Sequence, residues 1–162
     1  MKNTWVLVAD EAIARILQWQ GAGRALDSVE ELTDPAAHAD EADFRRDAYG
    51  QRAAASPHGS APNTPHRLRG AATVTSSAGE DAQHLEAADF ARRVAGHLAE
   101  ALKQKRFDEL QIVAAPRFLG ALRKALTADV RATVSAETNK DLVHLDNRDL
   151  AARLSASKAE AT

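Results

Sequence analysis

The chain has 162 residues, 44% of them hydrophobic and 27% charged, with a formal net charge of -2. That length holds one domain with a substantial core and excludes a second full one, while the charge excludes a globally basic nucleic-acid binder but not a local basic patch. With no cysteine, disulfides, thiol nucleophiles and cysteine metal sites are excluded, in keeping with a reducing compartment.

In chain order, "TWVLVAD" is a short apolar run closed by an acid and reads as a buried strand. The start "MKNTWVLVADEAIARIL" places acids within its apolar stretch and lacks the uninterrupted core and cleavage site of a signal peptide, so a cytoplasmic chain is expected. No run approaches the ~18 apolar residues of a membrane span. "ARILQWQ", "GAG" and "ALDSVEEL" read as a hairpin, with Gly21 and Gly23 free to take positive φ in the turn. Alternation of Ile16, Gln18 and Gln20 with Leu17 and Trp19 suggests a strand buried on one face. The first third is therefore three consecutive antiparallel strands.

From about residue 33 to 79 the periodicity dissolves into an expected flexible loop, longer than the ~12–15 residues beyond which a loop is usually functional or disordered. The acids of "ELTDPAAHADEAD", Glu30, Glu31, Asp34, Asp40, Glu41 and Asp43, give way to Arg45, Arg46, Arg52, Arg67 and Arg69, interrupted only by Asp47. Pro57, Pro62 and Pro65 oppose helix or central strand there.

Order returns at "SAGEDAQHLEAADFARRVAGHLAEALKQKRF". Ser77 and Glu80 have capping-box spacing, or Asp81 caps directly, and Phe90, Ala91, Val94, Leu98, Ala101 and Leu102 form an apolar stripe at helical period. "LQIVAAP" reads as a strand covered on both faces. Pro116 suits the first turn of a helix presenting Phe118, Leu119, Leu122, Ala125 and Leu126 inward. "VRATVSAET" alternates as a half-buried strand, and a last helix is expected from an N-cap at Asp146 through "RDLAARL", with 155–162 a frayed tail. The fold class is α/β: a ribonuclease H-like mixed five-stranded sheet, three antiparallel strands and then strand–helix repeats, in one domain over 1–154.

"TWVLVADEAIARIL", "HLEAADFARRVAGHL", "LQIVAAPRFLGALRKAL" and "KDL" at 140–142 together resemble the bacterial family of host attachment proteins, from about Trp5 to Leu154. That family is similar to the central domain of archaeal and eukaryotic peptide-chain release factors and of stalled-ribosome rescue factors. In those relatives a loop after the third strand carries a Gly-Gly-Gln tripeptide into the ribosomal peptidyl-transferase centre. Here Gly50-Gln51 occupies about that place, but Tyr49 stands where the first Gly would be and narrows the backbone freedom the tripeptide uses.

The resemblance and the charge pattern together imply a non-enzymatic module that meets RNA or the ribosome. Arg45, Arg46, Arg52, Arg67 and Arg69 would neutralise phosphates, and Tyr49, beside Gly50 and Gln51, would stack on a base. Against this stands a solvated loop whose arginines pair with its own acids. Arg117 and Arg123, on the helix after "LQIVAAP", are anion-binding candidates, Arg117 beside the helix N-terminus.

The alternatives are a hydrolase, either a metal-dependent nuclease at Asp10 or a peptidyl-ester hydrolase acting through Gln51, and a protein–protein adaptor. Asp10 reads first as a turn residue, since the end of "LQIVAAP" supplies no second acid. His58 and His66 lack zinc-ligand spacing, Ser56 and Ser60 lack the setting of a nucleophile, and no P-loop occurs, so no metal or cofactor is expected. For a chain without an export signal, any role in host attachment is expected to be indirect.

Overall fold

The computed structural model describes residues 2–20, 25–35 and 75–160, with the backbone alone at 75–80 and 158–160. The strands are β1 (Thr4–Ala9), β2 (Ile13–Gln20), β3 (Ala25–Thr33), β4 (Glu109–Ala114) and β5 (Val134–Asn139). The helices are α1 (Thr75–Lys103), α2 (Pro116–Ala125), α3 (Ala128–Thr133) and α4 (Asn147–Glu160). One open sheet forms in the order β3-β2-β1-β4-β5, antiparallel between β1, β2 and β3 and parallel from β1 through β4 to β5. Parallel neighbours require crossovers, which α1 supplies between β3 and β4, and α2 with α3 between β4 and β5.

β1 is the central strand, and every residue from Trp5 to Ala9 is buried, which is why its sequence is a continuous apolar run. Trp5, Leu7 and Ala9 face one core with Ile16, Phe90, Val94, Leu98, Phe118, Leu122 and Val130. Val6 and Val8 face a second core with Leu17, Leu26, Val113, Leu142, Leu150 and Leu154. Helices α1, α2 and α3 thus cover one face and α4 the other, giving three layers. Each fully buried Leu, Val or Phe stabilises the fold by ~1.5–3 kcal/mol relative to exposure.

β2 departs from the expected single buried face, because Ile16 enters the first core and Leu17 the second. Both edge strands carry a register shift. Val29 is the extra residue of β3 and Ser135 that of β5, where the Ser135 hydroxyl donates to the Leu110 carbonyl. Bulges at sheet edges disfavour pairing with another strand.

The "VRATVSAET" expectation is corrected. Thr127 caps a short helix by accepting from Val130 N–H, so Val130 and Ala132 lie on α3, and β5 begins only at Val134. The apolar spacing there served one helical turn with Val130 inward, and β5 as an edge strand leaves Ala136 exposed.

α1 starts at Thr75, so Ser77 and Asp81 lie inside the helix rather than at its cap. α4 is capped as expected, Asp146 Oδ1 accepting from Asp149 N–H at 2.8 Å, and it extends to Glu160. The expected turn at 21–24 and most of the expected loop, at 36–74, lie outside the described residues; β3 reaches Thr33 and α1 starts at Thr75.

α1 ends in a hydrogen-bonded left-handed turn. Lys105 N–H donates to the Leu102 carbonyl, Arg106 N–H to that of Ala101, and Lys105 has φ 56°. Arg106 then lies over the Trp5 ring at 5.0 Å, and Trp5 stacks on Phe107 at 4.9 Å between centroids. Asn3 locks the entry to β1 by donating from its side chain to the Arg106 carbonyl at 2.6 Å and from its backbone to Asp108 at 2.8 Å.

Candidate functional site

The carboxyl ends of β1, β3 and β4 lie at one end of the sheet, because these three strands run in the same direction. From Ala9 the chain turns towards β2, and from Ala114 it enters α2 and goes on to β5. The two central strands therefore send the chain to opposite sides, and open α/β sheets tend to bind ligands in the crevice at such a point.

Asp10 shapes the rim of this crevice. Its Oδ1 accepts from Ala12 N–H at 2.8 Å and Ile13 N–H at 2.7 Å, while its own N–H donates to the Ile13 carbonyl at 2.9 Å. The Asp10 carboxylate is a turn acceptor, and among the described residues no group of three His, Cys, Asp or Glu side chains could hold a metal ion. Asp34, at the end of β3, joins the same turn through an N–H to the Ala12 carbonyl at 2.8 Å. Its buried carboxylate meets Arg93 of α1 at 2.8 Å, and that guanidinium lies 5.3 Å from the Phe90 ring centroid.

Between this rim, α1 and α2 lies a cleft of about 350 Å³, walled by Glu11, His84, Glu86 and Arg117 with Ala87 and Ala121 among its apolar lining. Arg117 thus stands at the strand ends as its position at the start of α2 suggested. Arg123 does not join it. Its guanidinium is held by Glu137 of β5, with Nε at 2.8 Å, and Arg131 donates to its carbonyl at 2.6 Å. Arg45, Arg46, Tyr49, Gly50, Gln51, Arg52, Arg67 and Arg69 lie outside the described residues.

Three polar residues have roles that sequence reasoning missed. Arg15, mid-strand in β2, donates to the carbonyls of Val143 and Leu145 and to Asn147 Oδ1 at 2.9, 2.6 and 2.6 Å, fastening the connection before α4 to the sheet. Glu30 accepts from Arg106 at 3.5 Å, linking β3 to the turn after α1, and lies 2.9 Å from His97 Nε2. Asp34 shows in sequence only as an acid before a proline. An arginine within a strand pattern was the one available signal for Arg15.

The family model described as "Protein required for attachment to host cells" matches residues 5–154. The chain belongs to this host attachment family. The match runs from β1 into α4, so it takes in the whole sheet, the cleft and the segment 36–74. None of the curated proteins matches the chain. Among the described residues of this family member, no helix is long and apolar enough to cross a membrane.

Proposed function

We propose that this host attachment family member is a non-enzymatic cytoplasmic module that contacts RNA or the translation machinery through the arginine-bearing segment between β3 and α1. The observation that carries the reading is where that segment is rooted. β3 ends at the carboxyl end of the sheet with Asp34 fixed to both Ala12 and Arg93, and the chain enters 36–74 from that anchored point. Between Phe44 and Val74 stand five arginines and one aspartate, in a chain whose net charge is -2. Positive charge concentrated on one segment of a near-neutral protein suits phosphate contact without general polyanion binding.

The strand order and the helices on both faces support a ribonuclease H-like reading of the fold. The place of the segment after the third strand supports kinship with the release-factor central domain. Gln51 has only Gly50 before it and Tyr49 before that, which favours contact over ester hydrolysis. On this reading a role in host attachment follows from altered translation in the bacterium.

The test is filter binding of a single-stranded RNA oligonucleotide across a salt series. Five phosphate contacts predict a log–log salt slope of about -3.5. Changing Arg45, Arg46, Arg52, Arg67 and Arg69 to Ala should flatten it. Binding with an unchanged slope in that variant refutes the segment's role.

A further inference from the structure

We infer that the cleft at the carboxyl ends of β1 and β4 binds a small zwitterion, an α-amino acid with an apolar side chain, its carboxylate at Arg117 and its ammonium at Glu11 and Glu86. This does not depend on the RNA reading, which rests on a different segment.

The first support is position. The cleft opens where β1 and β4 send the chain to opposite sides, the place at which open α/β sheets accommodate ligands. Its volume of about 350 Å³ falls within the ~300–1,000 Å³ range of small-molecule sites.

The second is preorganisation. Glu11 sits in a turn closed by the Asp10 carboxylate on the Ala12 and Ile13 N–H groups, and the Asp34 backbone fastens that turn to β3. The backbone that carries Arg117 is fixed in the first turn of α2 by the buried Phe118, Leu119 and Leu122, while the Arg117 and Glu86 side chains are exposed. A backbone frame that does not reorganise lowers the cost of binding.

The third is charge. Asp34 is engaged by Arg93, and Asp89 just beyond the cleft by Arg92. Glu11, Glu86 and Arg117 form no ion pair or side-chain hydrogen bond among the described residues. Residues of both signs therefore line one cavity with no ion pair between them among the described residues. A ligand with a single charge would meet one sign only. A zwitterion satisfies both, and the methyl groups of Ala87 and Ala121 leave apolar lining for its side chain.

Isothermal titration of the full chain with L-leucine and L-phenylalanine tests this, with N-acetyl-L-leucine and L-leucinamide as probes lacking one charge each. Saturable binding is expected for at least one amino acid, weakened about tenfold or more by loss of either charge or by Arg117→Ala, the size of one charge-assisted hydrogen bond. Glu11→Gln with Glu86→Gln should weaken the amino acid but leave N-acetyl-L-leucine unaffected. Ala121→Leu, which fills the cleft without touching a charge, should abolish binding. Amide chemical-shift changes in the unsubstituted chain should centre on Ala87 and Ala121. The proposal is overturned if neither amino acid binds saturably at millimolar concentration, if the shifts fall elsewhere, or if binding survives both Arg117→Ala and Ala121→Leu.

Discussion

Arg93 of α1 reaches the end of β3, its Nη2 2.8 Å from Asp34 Oδ1, and Asp34 is 4% exposed while its backbone N–H closes on Ala12. One buried acid thus ties the long helix, the edge strand and the β1–β2 turn together at the cleft. Removing it leaves the guanidinium without its acceptor and opens the rim. We expect Asp34→Ala to destabilise the fold by about 1–3 kcal/mol, the range for a buried charge-assisted hydrogen bond. Urea unfolding should show a lower midpoint at unchanged slope.

Asp10 separates a turn role from a metal role. Asn keeps an oxygen in the acceptor position that binds the Ala12 and Ile13 N–H groups, whereas Ala removes it. Asp10→Asn should therefore be near neutral in thermal unfolding, and Asp10→Ala should cost about 1–2 kcal/mol by analogy with lost helix caps. A melting temperature of the unsubstituted chain that rises with added divalent cations, and not in Asp10→Asn, would contradict the turn assignment.

Lys105 holds a left-handed conformation, φ 56°, that a residue with a Cβ adopts at a cost. Lys105→Gly is expected to stabilise the protein by about 1 kcal/mol, since both hydrogen bonds of the turn are backbone bonds and remain. Chemical denaturation reads this directly.

Arg15 donates to three acceptors around residues 143–147, two of them backbone carbonyls. Arg15→Met keeps much of the aliphatic volume but leaves those acceptors unmet, so a loss of about 2–3 kcal/mol is expected, the upper range for bonds to a charged group. Hydrogen exchange should rise in α4 more than in α1, because the clamp holds the connection before α4 and its first residue, Asn147.

The contrast between Arg15 and β1 shows what the sequence conveyed. A run such as "TWVLVA" carries its burial in every letter, and the stripe from Phe90 to Leu102 carries its face in the 3.6-residue period, so strand, helix and core were readable. Side-chain bonds between distant segments leave no periodic trace. Arg15 to Leu145 and Asp34 to Arg93 depend on the fold already being assembled. The α3–β5 boundary does not follow from the period, because Val130, Ala132 and Val134 satisfy a period of two whether or not a helical turn intervenes; the Thr127 cap is the signal that marks it. Within the site, the start of α2 placed Arg117 from sequence alone. The cleft itself, made where Glu11 and Glu86 converge from separate elements, required three dimensions.

The central claim is that the arginines between β3 and α1 hold an RNA-containing partner. Sucrose-gradient sedimentation of native lysate tests it most directly, following the intact chain beside one in which Arg45, Arg46, Arg52, Arg67 and Arg69 are Ala. The account predicts co-sedimentation of the intact chain with ribosomal particles at low salt, release as salt is raised, and a substituted chain that stays at the top of the gradient. An intact chain found only at the top at low salt, or two chains that sediment alike, would contradict it.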